Sequence, residues 1–485
     1  MCELCRQKQM QMAEPGGTGT IMDRTAKPAV GLPQGTGTAG RRVLIRGGAV
    51  MSMDPAVGDF DSADVLIEGK KIVAVGRDLK ADGAAVVDAA GMIVLPGFID
   101  THHHQFETAL RSFLADGILV ADGKPHGVVN YYDYILQKFS LVYRPQDVYI
   151  SELFGGLSQL DDGVTTVLDV SQIHHTPENS DAAVMGLKDA GRRGVLGYFE
   201  GWGDKLKYPD DARRLKSQYF ASDDQLTTLI MGGEIYIPGW EKAWAIGRDL
   251  GIPVALHVLS VFGMVPTFDK MAKDGMLGPD NIFIHMTGMS DYSWQVVADS
   301  GCHVSLAVPI EMTMRHGMPP LQKALSLGIQ PSLSSDVECT MTADMFTLMR
   351  SAMIMQRALI NEDALAGKTD LPELLTSRDC IRMATIEGAK GLHLDKKVGS
   401  LTPGKEADII LLDATALNVA PLNNVPGAVV TLMDRTNVDT VFVAGKIRKW
   451  KGALLDVDLS RLRAELDASR DYIFEKAGVK RVLFP

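Results

Sequence analysis

The central part of the chain alternates short, continuously apolar runs with longer stretches of helical periodicity. Helix-like stretches such as Asp147–Leu160 and Glu241–Leu250 separate the apolar runs. Apolar strands that alternate with helices are typical of parallel β-structure buried on both faces. The eight candidate strands are Ile93–Asp100, Thr165–Ser171, Gly194–Gly201, Leu226–Gly233, Pro253–Val258, Ile282–Thr287, His303–Val308 and Gln330–Asp336. Eight such units favour a closed (β/α)₈ TIM barrel; an open doubly wound sheet is the alternative, which periodicity does not separate from it.

The segments on both sides of this central part have a different sequence pattern, in which short β-prone runs are separated by Gly, Asp and Lys. Val43–Ile45 and Val65–Glu68 represent the first flank, and Ala407–Asp413 represents the second. We interpret the first flank as a small antiparallel unit. Because the same pattern occurs again after the central part, we expect the two flanks to join into one small β-sandwich. The predicted organisation is a flexible leader over 1–40, a composite sandwich over 41–92 and 397–455, the barrel over 93–396 and a helical tail over 456–485.

Composition narrows the functional classes. The 485 residues are 46% hydrophobic and carry a net charge of −11, so a large core is available and neither nucleic acid nor an anionic membrane is an expected partner. Cys2 and Cys5 form a CxxC pair without further zinc ligands nearby. The first forty residues lack the apolar segment of a secretory signal, and no run of about 18 apolar residues occurs. These features predict cytoplasmic residence.

The residues at the carboxyl ends of the predicted strands carry the candidate chemistry, because barrel enzymes place their sites there. His102 and His104 end strand one and point the same way, since side chains alternate along a strand. His257 and His285 end strands five and six, and Asp336 ends strand eight. Three imidazoles and a carboxylate suit a zinc-like ion, which lowers the pKa of a coordinated water to about 7. Asp336 can both bind the metal and accept the proton of that water.

Several segments resemble the amidohydrolase superfamily, in particular the branch with cytosine deaminase, guanine deaminase and the triazine hydrolases. Leu95–His104 matches the PGxIxxHxH opening of that branch, and Asp161–Val167 resembles its entry to strand two. Met383–Lys390 resembles the helix after the barrel. Gly399–Asp408 resembles the recurrent GSLxPGKxAD segment, and Val438–Gly445 a late sandwich strand. The match runs in order from about residue 42 to about residue 452.

The resemblance implies a ligand set and a metal. Position by position, it implies metal binding by His102, His104, His257 and Asp336. His285 matches the histidine that contacts the bound water or the substrate. No lysine ends strand four, where binuclear relatives often place one, so a single divalent metal is favoured. We expect zinc, with iron as the alternative, since these ligand types suit both.

One departure from this pattern bears on the reaction. Deaminases of the branch usually show His-x-x-Glu after strand five, whereas this chain has Ser260 at that position. A serine hydroxyl is too weak an acid to replace the glutamate near neutral pH. We hypothesise that Glu234 or Glu311 points at the activated water instead. The other candidates at strand ends are Glu200, His174 and His175.

Two further features each allow two interpretations, and a third allows one. The aromatic side chains of Tyr131, Tyr132 and Tyr134, in the long insertion after strand one, either stack on a flat substrate ring or anchor the insertion by packing. The loop that carries His316 either contacts a substrate carbonyl or anion or is an ordinary connection. Glu107 and Arg111, a turn apart, are interpreted as an ion pair.

The sequence thus predicts a metal-dependent hydrolase that cleaves a C–N bond of a small, heterocyclic substrate by deamination or a related reaction. Because Ser260 replaces the glutamate, an amide or carbamate hydrolase, or one that releases an alkylamino group or a halide, is the alternative. A non-catalytic scaffold of the same fold is the alternative of another class, and the retained metal ligands speak against it. Relatives commonly form dimers or larger assemblies, so we expect a homo-oligomer.

Overall fold

A computed structural model describes residues 31–484 of the chain. The predicted leader falls largely outside this range, as do Cys2 and Cys5. Within the described part, Thr36 already lies against the sheet, because its Oγ1 accepts a hydrogen bond from the backbone N–H of Ile447 at 3.1 Å. No helix in 31–484 is both long and apolar enough to cross a bilayer.

The strands form two sheets. The first part of the chain contributes β1 (Arg42–Met51), β2 (Asp59–Glu68), β3 (Lys71–Gly76), β4 (Ala85–Asp88) and β5 (Met92–Pro96). The centre contributes β6 (Phe98–His103), β7 (Val164–Ser171), β8 (Arg193–Tyr198), β9 (Thr227–Gly232), β10 (Val254–Leu259), β11 (Asn281–Thr287), β12 (His303–Leu306) and β13 (Ser332–Leu333). The last part contributes β14 (Ile409–Asp413), β15 (Val438–Val443), β16 (Lys446–Trp450) and β17 (Ala453–Leu454).

The eight central strands make a parallel barrel. They pair in chain order from β6 to β13, and the first and last meet through a parallel bridge between His103 and Asp336. There the N–H of Asp336 donates to the carbonyl of His102 at 2.9 Å, and the N–H of His104 donates to the carbonyl of Asp336 at 2.8 Å. The predicted fold class is confirmed, and the barrel closes through the residues that carry the candidate chemistry.

The first predicted strand, Ile93–Asp100, is two strands in the structure. Its first half, β5, pairs with β1 and β14 in the second sheet, whereas β6 opens the barrel. The chain changes sheets at Gly97, whose N–H donates to the carbonyl of Asp408. Only glycine fits there, since a Cβ would lie 2.2 Å from Oγ1 of Thr165. Apolar runs on both sides of this glycine hide the break in the sequence pattern.

The second sheet has nine strands and draws on both flanks of the chain. Its order is β17-β16-β15-β14-β5-β1-β2-β3, with β4 paired to β1 outside this path. The expected antiparallel unit is only partly correct, because β4 and β5 both run parallel to β1. Both strands follow the β2–β3 hairpin in the chain and pair with β1 again. The two flanks of the chain meet where β5 pairs with β14.

Helices surround the barrel and connect it to the sheet. They are α1 (Pro145–Asp161), α2 (Pro177–Asp189), α3 (Ala212–Tyr219), α4 (Trp240–Asp249), α5 (Val265–Lys273), α6 (Asp291–Ser300), α7 (Val308–Thr313), α8 (Leu321–Ser326), α9 (Met345–Leu365), α10 (Ser377–Met383), α11 (Ile386–Gly391), α12 (Val425–Thr431) and α13 (Leu459–Lys476). Short 3₁₀ helices span Gln105–Leu110, Pro125–Gly127, Ser140–Val142, Ser260–Phe262 and Arg435–Asn437, and a π-helix spans Tyr131–Phe139.

The insertion after β6 is anchored by the last helix. Arg144, just before α1, stacks on the ring of Tyr472 at 3.3 Å. Ser469 donates to Asp147 at 2.8 Å. Phe474 packs on Phe139 of the π-helix, with ring centroids 4.9 Å apart. Helix α13 therefore supports the segment that covers one side of the barrel mouth.

Apolar side chains fill the barrel interior. Ile99, Leu168, Val195, Ile230 and Ile284 belong to one buried cluster there. A barrel packed in this way has no pore, so chemistry takes place at the open carboxyl end of the strands.

Candidate metal centre

Three imidazoles meet at the carboxyl end of the barrel. His102 lies on β6, His104 follows that strand directly and His257 lies on β10. The Nε2 atoms are 3.1 Å apart for His102 and His104, 3.2 Å for His257 and His102, and 3.3 Å for His257 and His104. The structure thus brings together the three histidines that the sequence proposes as ligands.

Asp336 and His285 complete the cluster. Oδ1 of Asp336 lies 3.6 Å from Nε2 of both His102 and His104, and its Oδ2 lies 3.5 Å from Nε2 of His285. His285 and Asp336 adopt left-handed φ angles of 73° and 63°. Such conformations cost energy in non-glycine residues and often occur at functional sites. A register shift between β10 and β11 occurs beside His285, and such irregularities re-aim side chains.

The opposite ring nitrogens determine how the imidazoles are presented. Nδ1 of His104 donates to the carbonyl of Val170 at 2.8 Å, and Nδ1 of His257 contacts Oε1 of Glu234. Nδ1 of His285 contacts Oε1 of Glu311 at 3.0 Å. With the proton on Nδ1, each Nε2 presents its lone pair to the centre. Acceptors behind the rings are the usual partners of metal-bound histidines.

Burial favours the uncharged state that a histidine ligand needs. It lowers the pKa of His102 and His104 well below the usual value, and the neighbouring imidazoles lower both further. Burial raises the pKa of Asp336 to about 7, although His257 opposes this shift. At His257 burial lowers the pKa, but the Glu234 carboxylate raises it and the net shift is upward. A divalent cation would stabilise the deprotonated form of each of these ligands.

The spacing of the donors fits a zinc-type ion. A tetrahedral ion with Zn–N bonds of about 2.0–2.1 Å places its nitrogen ligands ~3.3 Å apart, close to the 3.1–3.3 Å between the three Nε2 atoms. Oδ2 of Asp336 is buried without a hydrogen-bond partner among the described residues. Two overlapping groups can hold an ion: His102, His104 and His257, and also His102, His285 and Asp336. The residues present therefore fit a divalent metal.

A cleft opens above this cluster. Its wall is largely apolar and is formed by Leu119, Leu136, Leu259, Phe262, Met314 and Val337. Tyr131 also lines it, while its hydroxyl donates to Oε1 of Glu107 at 2.7 Å. The ring of Tyr131 thus serves both as an anchor of the insertion and as a wall of the cleft. The lining suits a small, mostly apolar ligand.

One side of the cleft is polar. Gln172 and Tyr236 line it, and both donate to Oε1 of Glu200 at 2.7 Å. Burial and the neighbouring Glu234 carboxylate together raise the pKa of Glu200 to about 7. Glu200 is among the strand-end candidates in the sequence, whereas Gln172 and Tyr236 are not predicted from it. Gln172 directly follows β7. Its place at the carboxyl end of a barrel strand is therefore the signal by which it could have been predicted.

The remaining candidates lie away from the centre. His103 points away, with Nδ1 3.1 Å from the carbonyl of Asp336. His174 is buried, with Nδ1 2.9 Å from the hydroxyl of Ser180, and His175 accepts from the N–H of Trp202. Ser260 does not line the cleft. None of these side chains belongs to a metal-binding group among the described residues.

The ion pair expected between Glu107 and Arg111 is wrong. Arg111 instead contacts both carboxylate oxygens of Glu338 at 2.8 Å. Glu107 lies in a 3₁₀ helix, is fully buried and accepts from Tyr131. Burial raises its pKa to about 8. The helical spacing assumed for this pair does not apply to a 3₁₀ turn, where side chains three apart eclipse.

Residues 257–448 match the model of the Amidohydrolase family. The matched segment begins at the third histidine of the centre and includes His285 and Asp336. The chain contains an amidohydrolase family domain. The superfamily resemblance and the expectation of a hydrolytic enzyme are confirmed, and the scaffold alternative is not supported.

Similar proteins extend the comparison to nearly the whole chain. The 5'-deoxyadenosine deaminase of Methanosarcina acetivorans is 24% identical over 450 residues, which are 90% of this chain and 99% of that protein. The 5-methylthioadenosine/S-adenosylhomocysteine deaminase of Symbiobacterium thermophilum is 26% identical over 79% of this chain and 88% of that one.

Solved structures share the fold. An adenosine deaminase from Xanthomonas campestris with bound zinc superposes with a TM-score of 0.76 at 22% identity, covering 90% of this chain and all of that one. The atrazine chlorohydrolase of Arthrobacter aurescens, complexed with zinc, has a TM-score of 0.76 at 20% identity over 88% of this chain. These amidohydrolase likenesses support the barrel with its additional β-structure.

Proposed function

We propose that this amidohydrolase removes an amino group hydrolytically from a small heterocyclic compound, with 5'-deoxyadenosine as the first substrate to test. The observation that carries the proposal is the cluster of three Nε2 atoms and one buried carboxylate at the floor of an apolar cleft. Relatives that act on deoxyadenosine or methylthioadenosine direct the choice of substrate.

His102, His104, His257 and Asp336 would hold the metal. A bound zinc or iron ion supplies Lewis acidity that makes water a nucleophile near neutral pH. Asp336 accepts the proton of the attacking water on Oδ2, which has no other hydrogen-bond partner among the described residues. His285, held through Nδ1 by Glu311, presents Nε2 to the reacting group. The apolar walls exclude bulk water and orient a flat ring.

We assign Glu234 and Glu311 a positioning role rather than the role at the water that the sequence suggested. Each carboxylate contacts Nδ1 of a site histidine and also accepts from a backbone N–H: Glu234 from His257, and Glu311 from Ala307. A carboxylate occupied in this way orients the imidazole and increases its basicity.

Glu234→Gln is expected to weaken metal binding by about 10- to 100-fold, because the negative charge behind His257 is lost. Competition with a chelating dye, at fixed pH, measures the affinity. Glu241→Gln, the same change at an exposed position of α4, is the matched control. Unchanged affinity in the Glu234 variant would remove the positioning role.

Replacement of a halide is the second candidate reaction, and Ser260 favours it. Adenine deamination must protonate a departing amine, and the His-x-x-Glu carboxylate that usually does so is absent here. Chloride leaves without protonation, so the reaction needs no such acid.

The deciding experiment incubates the zinc-loaded protein with 5'-deoxyadenosine and, separately, with atrazine. Ammonia release from the nucleoside would support deamination, and chloride release from atrazine would support the second candidate. The His102→Ala/His104→Ala variant controls for contaminating activity. If neither compound reacts with a protein that holds its metal, the proposed function is wrong for both substrate classes.

A further inference from the structure

His316 is a buried side chain at the cleft that the mechanism above does not use. It lines the cleft with 6% of its surface exposed, and neither Nδ1 nor Nε2 has a hydrogen-bond partner among the described residues. Its ring stands edge-on to His285, with centroids 4.7 Å apart at 88°. A buried imidazole without a partner is costly and calls for an explanation.

Disorder of the loop does not explain the free ring, because the backbone around it is held on both sides. Oγ1 of Thr287 donates to the carbonyl of His316 at 2.9 Å, and the N–H of Leu119 donates to the carbonyl of Met314 at 2.8 Å. Arg315 pairs with Asp122 at 2.6 Å. The ring nitrogens are therefore kept unpaired beside the site by a well-anchored backbone.

The loop also carries backbone strain that fixes the ring's position. Arg315 has a left-handed φ of 59°, and Gly317 has a φ of 138°. At Gly317 a Cβ would lie 3.0 Å from the Cβ of Thr287, so the glycine allows the loop to approach β11 closely. This approach places His316 against His285.

Position 260, where related deaminases usually have the glutamate of the His-x-x-Glu motif, does not supply a polar group to the cleft. Ser260 is outside the cleft lining, and its hydroxyl packs against Gly288, where a Cβ would clash with it. His316 is thus a polar group with unused hydrogen-bonding capacity next to His285. A neutral imidazole donates from one nitrogen and accepts at the other, so His316 can either donate to a ring nitrogen of a heterocycle or accept from one of its N–H groups.

We propose that His316 hydrogen-bonds a nitrogen of the heterocyclic substrate and thereby selects nitrogen-containing aromatic rings. The proposal rests on the proposed function, since it concerns the same cleft. It assigns His316 contact with the substrate and no part in holding the metal.

The test compares His316→Phe, which keeps a flat ring without nitrogens, with His316→Asn, which retains a donor and an acceptor. Equilibrium binding and kcat and KM are measured for 5'-deoxyadenosine and atrazine on zinc-loaded protein. For the nucleoside, the 1-deaza, 3-deaza and 7-deaza analogues are added. His316→Phe is expected to bind the parent compound about tenfold more weakly, and His316→Asn is expected to recover part of this loss.

The deaza analogues distinguish a direct hydrogen bond between His316 and the substrate from a structural role of His316. Removing the nitrogen that His316 contacts should weaken binding to the parent protein but not to His316→Phe. Metal content and Tm are measured for every variant. His393→Asn is the control, because His393 lies near Asp280, which precedes β11 at the other end of the barrel.

Each other outcome counts against the proposal. Equal binding by His316→Phe and the parent would overturn it while leaving the proposed function in place. A uniform loss across all deaza analogues, or a loss of metal, would assign His316 a structural role. If the metal-loaded parent neither binds nor converts either compound, the proposed function and this inference both fail.

Discussion

Replacing His102 and His104 together by alanine is expected to leave the purified protein without its metal. The two side chains supply two of the three Nε2 atoms that lie 3.1–3.3 Å apart. Of the four proposed ligands this leaves His257 and Asp336, which are too few for a zinc site. Elemental analysis of protein purified without added metal should give about one equivalent of zinc or iron for the parent and essentially none for the variant. Activity should disappear with the metal.

The His103→Ala variant is the matched control for this experiment. His103 lies between the two ligands but points away, with Nδ1 near the carbonyl of Asp336 and the hydroxyl of Ser335. We expect this variant to have a lower Tm and to keep its metal. A full equivalent of metal in the double variant would show that the ion binds elsewhere, and metal-free parent protein that takes up none on reconstitution would remove the proposed site.

Much of the site could be predicted because barrel enzymes place their active sites at the carboxyl ends of the strands. His102, His257, His285 and Asp336 are far apart in the chain, yet parallel strands that close into a barrel bring their carboxyl ends together. Alternation along β6 likewise separates His103 from its neighbours. Eight apolar runs predict parallel strands buried on both faces and favour a barrel, but the bridge between His103 and Asp336 is what distinguishes it from an open doubly wound sheet.

Side-chain direction at loop positions could not be predicted in the same way. Glu234 and Glu311 follow strands, but only the fold shows that each contacts the Nδ1 of a histidine. His316 depends on a close approach of its loop to Thr287, which no periodicity encodes. The domain boundaries, the homo-oligomer and the cellular location stay predictions.

Asp336→Asn is expected to lower kcat by roughly 10²- to 10⁴-fold, the range over which a positioned acid or base contributes. The amide keeps the shape of the side chain but cannot accept the proton of the attacking water. The backbone should tolerate the change, because asparagine adopts the left-handed conformation of residue 336, φ 63°, as readily as aspartate.

Metal content distinguishes the two roles proposed for Asp336. If the variant keeps its metal and loses turnover, Asp336 acts as the base; if it loses both, ligation alone accounts for its effect. Asp344→Asn is the control, since Asp344 caps α9 by accepting from the N–H of Thr347 at 2.8 Å and asparagine caps helices equally well. Turnover at the parent rate in Asp336→Asn would rule out the carboxylate as proton acceptor. The proton would then have to pass to His285, whose Nε2 lies 3.5 Å from the same carboxylate.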